Sequence, residues 1–168
     1  MNLYFMRHGI AADRAEGGAG SSDRERPLTP KGIKRMHKAA KGLVTLSLSF
    51  DHILTSPLER ARQTAKIVAQ TLQLENRLAE IDQLCPDQSV QDLMSGLVAY
   101  SGAKKILLVG HEPLLSSTVS YLLSGKAGVE IQFKKGGLCC LEVDGMPPQT
   151  GAVLHWALTP KQLRLFAN

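Results

Sequence analysis

One apolar segment near the N-terminus limits the folds open to this chain more than any other feature of the sequence. Residues 3–6 are Leu, Tyr, Phe and Met, a run typical of a buried strand, and Arg7, His8 and Gly9 follow directly. A buried strand has no room for Arg7 and His8, so we expect both side chains at its carboxyl end. Ligands bind at that end in open α/β sheets. The segment therefore predicts a ligand site at Arg7 and His8.

Two further apolar segments end in residues of the same kind. Residues 106–109 precede Gly110 and His111, whereas residues 53–55 lead into a predicted helix with Arg60 in its first turn. The free amide groups and the dipole of a helix N-terminus favour an anion. Three strand ends that each carry a cation or an imidazole indicate one anion site, and we predict that the anion is phosphate.

The rest of the chain alternates strands with helices. Apolar patterns predict strands at residues 2–6, 51–55, 104–109, 130–133, 138–142 and 152–157. Helix signals predict helices from Pro30 to about 46, from Pro57 to about 72, from 90 to about 100, from 113 to about 123 and after Pro160, with a loop over 75–88. This order predicts an α/β fold, a three-layer α/β/α sandwich with a mainly parallel central sheet, in a single domain over residues 1–168.

Local signals mark where several of these elements begin. Thr29 and Thr159 each precede a proline and are predicted helix caps, and Ser56 with Glu59 predicts a capping box. Residues 13–26, by contrast, are polar and rich in glycine. They predict a mobile loop that leaves directly from the proposed site and is a candidate flap over its ligand.

Composition excludes several classes of protein. A hydrophobic content of 43% and a charged content of 21% are ordinary for a globular protein, and no apolar run has the length of a membrane span. Three cysteines, two of them adjacent, make a poor disulfide framework, which favours a reducing cytoplasm. No spacing of Cys and His resembles a zinc site, so we expect neither a metal nor a cofactor.

The net charge of +5 is partly concentrated on one predicted helix. Five cations recur there at helical spacing: Lys31, Lys34, Arg35, Lys38 and Lys41. The pattern fits a solvated helix face, and it also fits a docking surface for an acidic protein. Nucleic acid is not expected as a partner, because the stripe lacks interleaved aromatic residues.

The predicted site suits chemistry on a phosphoryl group. The planar fork of arginine matches phosphoryl oxygens better than lysine does, and Arg7 and Arg60 supply two forks. Between them, His8 and His111 supply a nucleophilic imidazole and a cation or hydrogen-bond donor. The P-loop pattern is absent from the sequence, so nucleotide-driven chemistry is not indicated.

Three motifs, in order and spacing, resemble those of the histidine phosphatase superfamily, whose fold is called phosphoglycerate mutase-like. The motifs are Arg7-His8-Gly9, Ser56-Pro57-Leu58-Glu59-Arg60-Ala61-Arg62-Gln63-Thr64 and Gly110-His111. Two further segments, with the short chain, resemble the bacterial SixA-type phosphohistidine phosphatases: Arg26-Pro27-Leu28-Thr29-Pro30-Lys31-Gly32 and the ending from Trp156 to Leu163.

The resemblance implies a role for each motif residue. It implies that His8 is the nucleophile, phosphorylated on one ring nitrogen before water releases phosphate. It also implies that Arg7, Arg60 and His111 hold the phosphoryl oxygens through the transition state without a metal. Residues of the same motifs are expected to contact the substrate: Gly9, Arg26 and Ser56.

One part of the family pattern has no clear match. Larger members place an acid after the second helix to protonate an alcohol leaving group, and here that region offers Glu80 and Asp82 as candidate donors, with Asp87 beyond them. Phosphohistidine has less need of a proton donor than a phosphate ester has. Its imidazole, once protonated on the other nitrogen, departs as a neutral base whose conjugate acid has a pKa of about 6.5, whereas an alkoxide is far more basic. The gap therefore favours an N–P substrate.

The leading hypothesis is a phosphohistidine phosphatase that acts on a histidine of another protein, such as a phosphorelay or phosphotransfer component, and releases inorganic phosphate. Two alternatives stay open: a small-molecule phosphomonoesterase of the same superfamily and a non-catalytic phosphate-binding module. Retention of His8 argues against the second, since binding alone does not require a nucleophile. We expect a cytoplasmic monomer or weak dimer that binds neither nucleic acid nor a membrane.

Overall fold

A six-stranded sheet forms the centre of the protein. The computed structural model describes residues 1–13, 22–126, 128–148 and 150–167. In chain order, the strands are β1 (Asn2–Arg7), β2 (His52–Thr55), β3 (Leu78–Glu80), β4 (Lys105–Gly110), β5 (Leu138–Glu142) and β6 (Val153–Leu158). The helices are α1 (Pro30–Thr45), α2 (Glu59–Leu72), α3 (Val90–Leu97), α4 (Leu114–Ser124) and α5 (Pro160–Leu165).

The order of strands brings the predicted site together. Across the sheet the order is β3-β2-β4-β1-β5-β6. The first four strands are parallel, β5 is antiparallel to β1, and β6 is antiparallel to β5. Arg7 lies opposite Gly110, and Thr55 lies opposite Val109. The carboxyl ends of β1, β2 and β4 therefore meet at one edge, where Arg7, His111 and the start of α2 follow.

Alternate side chains of each central strand enter two separate cores. Tyr4 and Met6 of β1 belong to a buried cluster that includes residues of α1, α2 and α5. Leu3 and Phe5 belong to a second cluster, which includes residues of α3 and α4. Helices thus cover both faces of a mainly parallel sheet, and the predicted three-layer sandwich is confirmed. That residues 1–168 form a single domain stays a prediction.

Helix starts follow the sequence signals at two of three sites. Thr29 caps α1 by accepting a hydrogen bond from the Gly32 amide at 3.0 Å, and Thr159 caps α5 in the same way. The capping box predicted at Ser56 is wrong, because α2 begins at Glu59 after Leu58, with no side-chain cap. The Ser56 hydroxyl is used elsewhere, as described below.

One predicted strand and one predicted loop were also wrong. Residues 130–133 form no strand. Their alternating pattern reflects one side chain, Phe133, that turns into the core, while its carbonyl oxygen accepts a hydrogen bond from Arg7. Conversely, the predicted loop over 75–88 contains β3, a three-residue edge strand paired with β2. So short a strand, only partly buried, leaves no periodic pattern in the sequence.

Other predictions fall on a segment that is only partly described. Most of the predicted loop over 13–26 lies outside the described residues, but Asp23–Glu25 form one turn of 3-10 helix.

All three cysteines, Cys85, Cys139 and Cys140, are buried and free. Among the described helices, none is both long and apolar enough to cross a membrane.

Candidate active site

The side chains of two histidines and one arginine are buried at the carboxyl edge of the sheet. His8 follows β1, His111 follows β4, and Arg60 lies in the first turn of α2. Only 6% of His8, 4% of Arg60 and 2% of His111 is exposed to solvent. The ring centroids of His8 and His111 lie 5.0 Å apart. Arg7, at the end of β1, is half-buried beside them. The sheet thus brings together the residues that its strand ends predicted.

The ring of His8 is held by the backbone of the next residue. Its Nδ1 lies 2.7 Å from the carbonyl oxygen of Gly9. A carbonyl can only accept, so in the neutral ring Nδ1 carries the proton and Nε2 carries the lone pair. The Gly9 amide in turn donates to Thr64 Oγ1 at 3.0 Å on α2. Nε2 therefore carries the free lone pair of a ring whose orientation is defined.

The position of Gly9 requires a residue without a side chain. A Cβ atom there would lie 2.7 Å from Cγ of Met36, a contact too short to keep unless the buried Met36 side chain of α1 moves. Glycine therefore allows α1 to pack directly against the backbone that anchors His8. Contact between Gly9 and a substrate stays a prediction.

Both histidines are neutral at neutral pH. Burial lowers the pKa of His8 to about 3, and the nearby charges of His111 and the arginines act in the same direction. Burial also lowers the pKa of His111 to about 3, with Arg60 as the next cause. Because arginines lower both values, a bound anion would offset their charge and make a proton on His111 less costly.

His111 contacts Ser56 rather than a carboxylate. Its Nε2 lies 3.0 Å from Ser56 Oγ, which also accepts a hydrogen bond from the Leu58 amide at 3.3 Å. His111 Nδ1 is buried and has no hydrogen-bond partner among the described residues. Ser56 therefore orients the His111 ring, and the ring keeps one nitrogen for a ligand.

The arginines of the site are held in different ways. Arg60 donates to the Asp23 carbonyl at 2.7 Å and to Asp23 Oδ2 at 3.0 Å. Asp23 Oδ1 lies 3.0 Å from Nε of Arg26. One carboxylate thus ties Arg26 to Arg60 at the site. Arg7 donates to the Phe133 carbonyl at 2.8 Å, and its buried Nε has no hydrogen-bond partner in the described part of the chain.

Such a site suits an oxyanion. Guanidinium groups and a neutral imidazole offer several donors to the oxygens of a tetrahedral anion, while the lone pair of His8 is available to attack its central atom. No group of three or more His, Cys, Asp or Glu side chains that could hold a metal ion occurs among the described residues.

Known proteins share both the motifs and the fold. The sequence pattern described as histidine phosphatase superfamily (branch 1) matches residues 3–84. A protein named phosphohistidine phosphatase SixA homolog, from Haemophilus influenzae, is 35% identical over 73% of this chain and 77% of its own length. The chain belongs to the histidine phosphatase superfamily.

Two further similarities extend over nearly the whole chain. An uncharacterised protein of Picosynechococcus sp. (strain PCC 7002) is 41% identical over 100% of this chain and 96% of its own length. A structure of the protein histidine phosphatase SixA complexed with tungstate matches with a TM-score of 0.83 and 27% identity, covering 97% of this chain and 99% of that one. The predicted fold, SixA-type subgroup and phosphatase class are confirmed.

The candidate proton donors of this histidine phosphatase lie in separate places. Glu80, at the end of β3, is half-exposed and forms an ion pair with Nε of Arg62 at 2.9 Å. The side chain of Asp82 is 81% exposed and lies 3.9 Å from Arg24. No hydrogen bond or ion pair joins either acid to His8 or His111 within the described residues. Their role as donors stays a prediction.

Two acids of the histidine phosphatase site were missed from the sequence. Asp23 bridges Arg26 and Arg60, and the available signal was its place three residues before Arg26. Glu112 directly follows His111 and lines a cleft together with Arg7. Its adjacency to a motif histidine was the signal. Both lie outside the region after the second predicted helix, where the family pattern places an acid.

Proposed function

We propose that the protein removes a phosphoryl group from a histidine of another protein, through a phosphorylated intermediate on His8. One observation carries this proposal: a buried, neutral His8 whose Nδ1 proton is fixed by the Gly9 carbonyl, leaving Nε2 as a nucleophile among arginines. A protein that only binds phosphate would need the arginines but not a nucleophilic imidazole.

The reaction divides into two transfers. His8 Nε2 attacks phosphorus, and the bond from phosphorus to the substrate imidazole breaks, with its electron pair going to the departing nitrogen. Water then attacks phosphorus, and the bond from phosphorus to His8 Nε2 breaks with its electron pair returning to the ring. Inorganic phosphate leaves, and His8 is neutral again. Arg7, Arg60 and His111 stabilise the charge on the phosphoryl oxygens in both steps.

The substrate class follows from the leaving group. Imidazole departs as a neutral base, whereas an alcohol requires a proton donor. The ion pair with Arg62 occupies Glu80, and Asp82 is largely exposed, so neither is prepared for that task in the described structure. The names of the relatives agree, since the Haemophilus influenzae protein is a phosphohistidine phosphatase homolog and the SixA structure contains tungstate, a tetrahedral oxyanion.

A basic groove supports a protein as the substrate. Five cationic side chains line a groove of about 170 Å³ that adjoins Gly9 and Ile10: Arg35, Lys134, Lys135, Lys161 and Arg164. None of the five forms an ion pair with any other described residue. Burial and the nearby Arg35 lower the pKa of Arg164, as expected where cations gather without acids. Such a groove fits an acidic surface beside the phosphorylated histidine.

We further propose that residues 1–168 act as one domain in a reducing cytoplasm, as a monomer or weak dimer. Support comes from the single six-stranded sheet and from the three free cysteines. No cofactor enters the proposed reaction.

The proposal is tested by phosphate release from two substrates, a phosphohistidine-bearing transfer domain and an aryl phosphate ester. We expect the wild type to prefer the phosphohistidine strongly and His8→Ala to lose both activities. Preference for the ester would instead support a small-molecule phosphomonoesterase. Inactivity of both proteins on both substrates, with phosphate still bound, would leave a receptor rather than an enzyme.

A further inference from the structure

The proposed phosphoryl site consists of Arg7, His8, Arg60 and His111. A large cleft adjoins this site on the side of α4. Its volume is about 960 Å³, and Arg7 belongs to it as well as to the phosphoryl site. The other residues of interest in its lining are Glu112, Ser116, Glu130 and Phe133. Whatever is attached to a bound phosphoryl group must occupy space next to that group. The cleft is therefore the natural place for the leaving group.

In this cleft, one carboxylate oxygen of Glu112 has a hydrogen-bond partner among the described residues and the other has none. Its Oε2 accepts a hydrogen bond from the Ser116 hydroxyl at 2.5 Å, one turn further along α4. Its Oε1 is buried and has no hydrogen-bond partner among the described residues. A buried carboxylate oxygen without a donor is costly, so this atom is suited to a donor supplied by a ligand.

A carboxylate at this position is unexpected for the binding of a phosphate ester. The site collects arginines to attract an anion, and a negative charge beside it repels that anion. The repulsion becomes an advantage only when the leaving group carries a positive charge. Phosphohistidine with its distal ring nitrogen protonated is such a substrate, since it joins an anionic phosphoryl group to a cationic imidazole.

We propose that Glu112 Oε1 accepts a hydrogen bond from the distal ring N–H of the substrate phosphohistidine. This proposal rests on the function proposed above and names the group that recognises the leaving imidazole. The distal nitrogen keeps its proton throughout. When the bond from phosphorus to the proximal nitrogen breaks, the electron pair neutralises the ring, and neutral imidazole leaves. Ser116 acts as a positioning residue by fixing the carboxylate.

The test compares Glu112→Gln with Glu130→Gln on the transfer domain and on the aryl ester. Glutamine keeps the shape of residue 112 but removes its charge, whereas Glu130 is an exposed acid at the rim of the same cleft. We expect Glu112→Gln to lower kcat/KM on the phosphohistidine substrate about tenfold, since a hydrogen bond to a charged acceptor exceeds a neutral one by roughly that factor. Its activity on the ester should be unchanged or higher, because repulsion of the phosphoryl group is removed.

The ratio of the two activities separates recognition from folding. Ester hydrolysis by Glu112→Gln shows that the variant folds, and Ser116→Ala should shift the ratio in the same direction by a smaller factor. An equal change of both activities, or the same shift in Glu130→Gln, would overturn the role of Glu112. Failure of the wild type itself to hydrolyse phosphohistidine would overturn the proposed function, and the role of Glu112 with it.

Discussion

The proposed phosphoryl site has two walls, one beside α2 and one beside α4, and their charged side chains are held in different ways. On the α2 side, Arg60 is already engaged by the carbonyl and carboxylate of Asp23, which also contacts Arg26. On the α4 side, Arg7 Nε and Glu112 Oε1 are buried and lack hydrogen-bond partners among the described residues. A carboxylate thus orients the arginines of the α2 wall before a ligand arrives, whereas on the α4 wall Arg7 is held by the Phe133 carbonyl and forms no ion pair with a described residue.

Arginine removal should reveal this difference most clearly. Arg60→Ala and Arg7→Ala should each lower kcat by about 100-fold or more, because each removes a donor to the transition state. Their effects on folding should differ. Arg60→Ala should lower the free energy of unfolding by about 2 kcal/mol, since it removes two hydrogen bonds to Asp23, and Arg7→Ala by about 1 kcal/mol, since it removes one to the Phe133 carbonyl. Denaturant titration measures both, and a larger loss for Arg7→Ala would contradict the comparison.

Acid should destabilise the protein through the two histidines of the site. The folded pKa of His8 and of His111 is about 3, below the ordinary value of 6.5, so the unfolded chain binds more protons between these values. Stability is therefore complete above about pH 6.5 and falls as the pH decreases towards 3, by up to about 1.4 kcal/mol per pH unit for each histidine.

Unfolding measured from pH 7 to pH 5 tests this dependence. The variant His111→Gln should show a shallower decrease than the wild type, because one of the two buried imidazoles no longer titrates. Carboxylates such as Asp51, whose pKa is lowered by the Lys105 and Lys104 amides, titrate below this range. Parallel curves for the two proteins would show that His111 is not protected from protonation by the fold.

Asp23→Asn tests whether the Asp23 carboxylate aligns the arginines at the cost of repelling a bound anion. The variant keeps the backbone carbonyl that binds Arg60 but removes the negative charge between Arg60 and Arg26. We expect inorganic phosphate to inhibit several-fold more strongly, while kcat falls about tenfold because the arginines lose their alignment. Weaker inhibition by phosphate would show that the carboxylate serves binding rather than alignment alone.

Charge reversal in the basic groove should give the smallest effect. The double variant Arg35→Glu and Lys135→Glu should raise KM for the phosphorylated domain about three- to tenfold at low salt, with little change in kcat. Lys66→Glu, an exposed residue of α2 outside the groove, is the matched control. An effect that persists at high salt, or that extends to the aryl ester, would contradict docking of an acidic surface.

The strand ends could be predicted because they depend on local patterns. Arg7, His8 and His111 follow apolar runs, and in a parallel sheet the ends of such runs must meet. Ser56 shows the limit of that approach. Its spacing to Glu59 is equally compatible with a helix cap and with a contact to His111, and only tertiary structure selects the second.

The roles of the two acids depend on tertiary contacts, although each acid lies within three positions of a motif residue in the sequence. Asp23 acts across 37 positions of sequence on Arg60, and the value of Glu112 comes from a cleft formed by a distant loop. The edge strand β3 was missed for a related reason, because pairing with β2 rather than its own composition makes it a strand.

The carbonyl oxygen of Gly9 has a consequence for the chemistry of the intermediate. Since it holds the proton on Nδ1 of His8, phosphorylation as proposed produces a single regioisomer, with phosphorus on the tele nitrogen. A main-chain atom directs this choice, so exchange of a neighbouring side chain does not reverse it unless the backbone at Gly9 moves. Antibodies specific for tele-phosphohistidine should therefore recognise the trapped enzyme, and pros-specific antibodies should not.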